Sequence, residues 1–218
     1  VDLFGGGFAL SHAALLSGKY EQVFYNEINP LLPKLIKDAI AGKYANERRW
    51  ISREDFYRLK DVDGYVRYIW SFGNSGKGYL FGKDKEPIKK LGHEFVCFGK
   101  DIPGVPNIKE TDMRVRRFYL QRFIKKNTGE KYELQELEQF ERLQRLQRLQ
   151  RLQRLQRLEI NCGSYLDYQY REGDVVYCDP PYEDTAKYDK DGFNHQQFYD
   201  WVASREYPVY FSSYEISD

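Results

Sequence analysis

The chain has 218 residues, with 34 basic residues against 33 acidic ones and a net charge of +1. A hydrophobic fraction of 41% supplies the core of one domain, or of one domain carrying an insertion, and excludes a chain that is disordered throughout. So balanced a charge names no polyanionic partner, so any nucleic-acid affinity has to come from local basic patches. No apolar run approaches the roughly 18 residues of a membrane span, and no signal peptide opens the chain. Cys97, Cys162 and Cys178 stand far apart with no CxxC pair. So sparse and odd a set argues against a disulfide framework and against a structural zinc site, and fits a reducing cytoplasm. The single methionine is Met113, so Val1 is expected to lie inside a longer protein.

In chain order, Val1 to Phe4 reads as the end of an apolar strand, and Gly5-Gly6-Gly7 breaks it. Phe8 to Leu16 reads as a helix. Gln22 to Glu27 is β-branched and aromatic, a second strand. After Asn29-Pro30, apolar residues at 31, 32, 35, 36, 39 and 40 predict a helix from Leu31 to Ile40. Strand, glycine turn, helix, strand, helix is how a doubly wound α/β sheet begins.

From about 42 to 128 that alternation is lost. The stretch is rich in Gly, Lys, Arg and aromatics and is punctuated by Pro87, Pro103 and Pro106, which predicts a mostly helical, loop-rich insertion. Within it, Arg114, Arg116, Arg117, Arg122, Lys125 and Lys126 interleave with Phe118, Tyr119 and Phe123, and no acid intervenes. A solvated amphipathic helix and a phosphate-contacting surface both fit this segment alone.

From Leu134 to Leu158 an apolar residue returns every third position, and its core is Leu-Gln-Arg five times over, from Leu143 to Arg157. All three residue types favour helix. In an α-helix, however, each three-residue step falls about 60° short of a turn, so the leucines would wind around the axis. A 3₁₀-helix would align them, although long 3₁₀ runs are uncommon. The arginines at 142, 145, 148, 151, 154 and 157 are placed to reach phosphates, while a spacer held by leucine packing is the simpler account. Assembly of chains through the repeat is a further possibility.

Gly173 to Cys178 then forms a strand that ends in Asp179-Pro180-Pro181-Tyr182. Gln196 to Ser204 reads as a helix and Val209 to Ser213 as a last strand. Two prolines cannot pair in a sheet, so they stop the strand and stiffen the turn. They hold a carboxylate and an aromatic ring side by side, which suits a planar ring bearing an amine. The glycine turn at Phe4 to Gly7 and the acid Glu27 about 20 residues later suit a nucleotide-like ligand more weakly.

With these residues the chain resembles the Dam-like N6-adenine DNA methyltransferases, whose motif order is glycine motif, recognition region, then DPPY. Asp2 to Gly7 resembles their cofactor motif, Tyr25 to Asn29 their ribose-binding motif, Ser164 to Asp167 their adenine-binding segment, and Val175 to Tyr182 their catalytic strand. Trp70 to Lys83 also looks like a family segment. The resemblance implies a Rossmann-like α/β sheet that binds S-adenosylmethionine through Asp2, Phe4, Gly5, Gly7, Glu27 and Asp167. It implies catalysis by Asp179, Pro180, Pro181 and Tyr182 on an adenine flipped out of double-stranded DNA, with no metal. It also assigns DNA contact to the basic stretch from Arg114 to Lys126.

The expected division is 1–41 and 159–218 for the two catalytic halves, 42–132 for DNA recognition and 133–158 for the repeat. Relative to the family, an upstream cofactor segment and the last strands are expected to be missing. N4-cytosine or another amine or amide is the competing substrate, and a vestigial enzyme whose repeat mediates assembly is the competing class.

Overall fold

A computed structural model describes residues 1–105, 112–128, 138–154, 157–182 and 193–213. Leu134, Leu137 and Leu155 of the repeat, Pro106, and the stretch beyond Ser213 lie outside them. The chain forms two compact units, one of residues 1–37 with 152–218 and one of residues 38–151.

The first unit mixes helices with small parallel sheets. Strand β1 (Val23–Glu27) pairs in parallel with β2 (Leu158–Cys162), from Val23 opposite Leu158 to Glu27 opposite Cys162. Strand β3 (Val176–Cys178) pairs in parallel with β4 (Val209–Phe211). The predicted opening strand contracts to Asp2, which bridges Tyr25 on one side and Tyr177 on the other, both in parallel. Its N–H donates to the Phe24 carbonyl at 2.8 Å, and its own carbonyl accepts from Asn26 at 2.8 Å. Leu3 donates to the Tyr177 carbonyl at 3.1 Å. Asp2 therefore joins the two strand pairs.

Helix α1 (Ala9–Ser17) follows the glycine turn and ends on Gly18 at φ 66°, the left-handed conformation that glycine adopts without penalty. Phe8, ahead of it, also has positive φ, 69°. For a bulky residue that conformation is costly, and Phe8 is held there by burial and by an edge-on contact with Tyr25 at 5.4 Å. Helix α2 (Leu31–Ile40) has the bounds its apolar spacing predicts. Near the chain's end, α8 (His195–Ala203) is capped by Asn194, whose side chain accepts from Gln197 N. It lays Phe198 and Trp201 onto Leu3, Tyr165, Val176 and Cys178, the core of this unit.

The second unit is helical. Helix α3 (Arg53–Leu59) starts on Ser52, which accepts from Asp55 N, and α4 (Gly64–Ile69) on Asp63, which accepts from Tyr65 N and Val66 N. Both are ordinary N-caps. Helices α5 (Glu86–Phe98) and α6 (Met113–Thr128) pack Phe95, Val96, Cys97 and Leu120 around Phe140 of α7 (Glu138–Arg148). His93 stacks on Phe140 at 5.2 Å.

The triplet repeat begins in α7 and passes into a 3₁₀-helix over Leu149–Arg154. Leu143, Leu146, Leu149 and Leu152 are all buried. Two α-helical steps rotate the leucine row by roughly 120°. Tightening to three residues per turn then stops the drift, because side chains three apart eclipse in a 3₁₀-helix. The change of helix type keeps the leucines inside.

Candidate active site

All these strands run the same way, so their carboxyl ends share one edge, where ligands of open α/β sheets bind. That edge carries the glycine turn after Leu3, Glu27 closing β1, Gly163 to Asp167 after β2, Asp179 to Tyr182 after β3, and Ser212 after β4. Glu27 braces the turn, with one carboxylate oxygen accepting from Gly6 N and the other from Asn29 N, each at 2.9 Å. Buried Asn26 donates from Nδ2 to the carbonyls of Leu3 at 3.2 Å and Gly163 at 3.0 Å, and its Oδ1 accepts from Asn161 at 2.7 Å. One amide thus ties three strand ends together. Sequence reasoning missed it, since an Asn inside a strand carries no signal of its partners.

The expected cofactor residues divide. Asp167 is exposed in a 3₁₀ turn, Tyr165–Asp167. A Cβ placed on Gly163 would lie 3.8 Å from both Asp167 Oδ2 and Asn26 Oδ1, which puts that carboxylate beside the end of β1. Gly7 has open space where a Cβ would stand. Phe4 instead stacks on Tyr165 at 5.2 Å and meets Phe198 edge-on. Asp2 is only 4% exposed and accepts from Ser11 Oγ at 2.7 Å. Burial pushes the Asp2 carboxyl up, against the Ser11 hydrogen bond, and the charge of Asp179 adds to the rise.

At Gly5 a Cβ would collide with the Tyr25 ring, so the need for glycine there comes from the protein's own core. Gly5→Ala is expected to destabilise the fold by about 1–3 kcal/mol, as overpacking of a dense core does. Urea unfolding checks this, and an unchanged midpoint would mean that the Tyr25 ring yields freely. A cavity of about 750 Å³ in this unit is lined by Asn26, Asn161, Ser164 and Asp167 among others. Gly5, Gly7, Glu27 and Asp179 to Tyr182 do not line it.

The Asp-Pro-Pro-Tyr turn is anchored by Val176 and Cys178, both fully buried. Burial pushes the Cys178 thiol up to about 12, so it is no nucleophile at neutral pH. Asp179 is exposed, and its Oδ1 accepts from the Tyr182 hydroxyl at 3.0 Å and from Ser212 Oγ. The Tyr182 hydroxyl also reaches Ser212 Oγ at 3.3 Å. The bond to Ser212 pulls the Tyr182 pKa down, but its bond to Asp179 and the charge there outweigh this, so the net shift is upward. The phenol stays neutral and donates. The Pro181 carbonyl meets His195 Nε2 at 2.8 Å, while the Pro180 carbonyl accepts no hydrogen bond among the described residues. One side of the carboxylate is therefore fixed, and its Oδ2 faces no partner among the described residues.

The model of the D12 class N6 adenine-specific DNA methyltransferases matches residues 1–206. The chain belongs to this family. No curated protein and no solved structure matches it. As a D12 class methyltransferase it is an enzyme that methylates adenine N6 in DNA, site-specifically.

The basic residues expected to touch that DNA sit on α6 of the second unit. Arg114 pairs with Asp112 and Arg117 with Glu141, each at 2.7 Å. Arg116 donates to the Val96 carbonyl at 3.4 Å, and Arg122 is exposed. The side chains of Lys125 and Lys126 lie outside the described residues. Among the described residues no group of three His, Cys, Asp or Glu could hold a metal, and no helix is long and apolar enough to cross a membrane.

Proposed function

We propose that the methyltransferase takes its methyl group from S-adenosylmethionine and acts on an adenine flipped out of double-stranded DNA. The acceptors at the strand ends fit such a cofactor. Glu27 and Asp167 offer acceptors to ribose hydroxyls and to an adenine amine, and Gly7 leaves room for close approach. When bound, the cofactor supplies an electrophilic methyl group on a sulfonium. Rossmann-like topology is supported by the parallel pairings on both sides of Asp2. In this reading residues 1–41 and 159–218 form the catalytic domain, 42–132 recognises DNA and 133–158 is the repeat. Arg114, Arg116, Arg117, Arg122, Lys125 and Lys126 are its DNA-contacting set.

The observation that carries the catalytic assignment is the Asp179 carboxylate, held by two hydroxyls at a proline-stiffened strand end. The target's N6–H bonds go to Asp179 and to the Pro180 carbonyl, and its ring stacks on Tyr182. Pro181 stiffens the turn. Acceptors on both N–H bonds draw the amine away from planarity and concentrate its lone pair on nitrogen. Reaction is then a direct displacement driven by positioning and electrostatics. The cationic nitrogen that results is acidic enough to lose its proton without a strong base.

Duplex DNA incubated with labelled S-adenosylmethionine and digested to nucleosides tests the reading. N6-methyladenine is expected, and N4-methylcytosine or an unlabelled product would overturn it. Ser212 acts through Asp179 as a positioning residue. Ser212→Ala is expected to lower kcat about 10-fold, the worth of a hydrogen bond to a charged group, with KM for the cofactor unchanged and partial rescue by Ser212→Thr.

A further inference from the structure

The triplet repeat has no part in the chemistry above, yet its arginines are not equivalent. Arg142 donates to the carbonyls of Ile69 at 3.1 Å and Ser71 at 2.6 Å, a structural role. Arg148 and Arg151 are exposed and make no hydrogen bond or ion pair among the described residues. The lag of each three-residue step explains the difference, since arginines at this spacing face different surroundings.

Arg148 and Arg151 line a cavity of about 520 Å³ in the second unit, together with Arg48, Arg114 and Arg117. Among the lining residues Asp112 is the only acid, and it is already paired with Arg114. Arg117 is paired with Glu141, but its buried Nε has no hydrogen-bond partner. Five guanidinium groups thus face two carboxylates, which leaves an excess of positive charge and an orphaned donor. Gln144 adds a neutral amide to the lining. Planar guanidinium forks match phosphate oxygens in pairs. Three residues along this segment advance about 4.5–6 Å, so Arg148 and Arg151 present two donors in series, as a backbone of successive phosphates requires.

We infer that this arginine-lined cavity binds the phosphodiester backbone of the duplex substrate, which makes the triplet repeat a DNA-contacting element. The inference rests on the DNA-methylating reading and adds a site to it. Backbone contacts of this kind set affinity and register without reading bases.

The test is duplex binding by the full chain across a salt series, comparing wild type, the Arg148→Gln/Arg151→Gln double variant and Arg145→Gln. Glutamine keeps helix propensity and leaves the leucines in place, and circular dichroism verifies the fold. The double variant is expected to bind about 10-fold more weakly near 150 mM salt, to the same extent on every sequence. Its log K against log salt slope should be shallower by about 2. Arg145, exposed on the same repeat but outside the cavity lining, should leave the slope unchanged. An unchanged slope in the double variant overturns the inference. So does a loss of self-association in its place, which would assign these arginines to assembly. Failure of the wild type to form N6-methyladenine is a separate result that strikes the activity reading, whatever the slopes.

Discussion

Asp179→Ala is expected to lower the methylation rate about 10³-fold, at the upper end of what removing one preorganised polar group costs an enzyme. In the proposed reading the carboxylate sits where the amine's charge develops, and neighbouring hydroxyls from Tyr182 and Ser212 hold its Oδ1. Alanine removes the acceptor and leaves both hydroxyls without their shared partner. Because Asp179 stands after β3, away from Glu27 and Asp167 at the ends of β1 and β2, cofactor affinity should stay within a few-fold. Asp179→Asn keeps one acceptor oxygen and should retain more activity than the alanine variant. Single-turnover methylation with equilibrium cofactor binding separates the two effects. Substantial activity in Asp179→Ala would end the catalytic assignment.

Leu146→Ala should destabilise the fold by about 2–5 kcal/mol, the range for a buried leucine that leaves a cavity behind. Leu146 is 7% exposed in a row of buried leucines, and its triplet neighbour Arg145 is exposed. Arg145→Ala should therefore stay within about 0.5 kcal/mol of wild type. Two residues side by side in one repeat unit are predicted to differ several-fold in their effect on stability. Urea midpoints at equal m-values measure this. Equal losses would show that the repeat is held by its polar face and not by its buried leucines.

Much of the first unit was legible because its elements are punctuated. Helix α2 has the predicted bounds, since apolar spacing and Asn29-Pro30 mark its start. Strand β2 was not legible. Leu158–Cys162 follows the repeat with no turn residue between, so its period of two is hidden behind a period of three. In the second unit, Ser52 with Asp55 and the Asp63-Gly64 pair carried readable cap signals for α3 and α4, lost in a stretch judged by composition. At the site, Asp179 to Tyr182 announce themselves because two adjacent prolines admit few structures. Ser212 does not, because its role depends on a hydroxyl arriving from another strand. At Gly5 the space a Cβ would take belongs to Tyr25, a requirement that only packing reveals.

The neighbourhood of Gly42 and Gln150 bears on how the chain reaches this structure. A Cβ on Gly42 would meet the Gln150 amide at 2.7 Å, so the second unit begins and ends at nearly the same point. Asn26 and Asn161, side by side on β1 and β2, are 135 residues apart in sequence. If the helical unit condenses first, the loop still to be closed shrinks to about 30 residues, which lowers its closure entropy by about 1.4 kcal/mol. Its helices are local structures that form fast, while the parallel pairing is long-range and slow. The helical insertion then works as a clasp that forms ahead of the sheet and shortens the search that pairs β1 with β2.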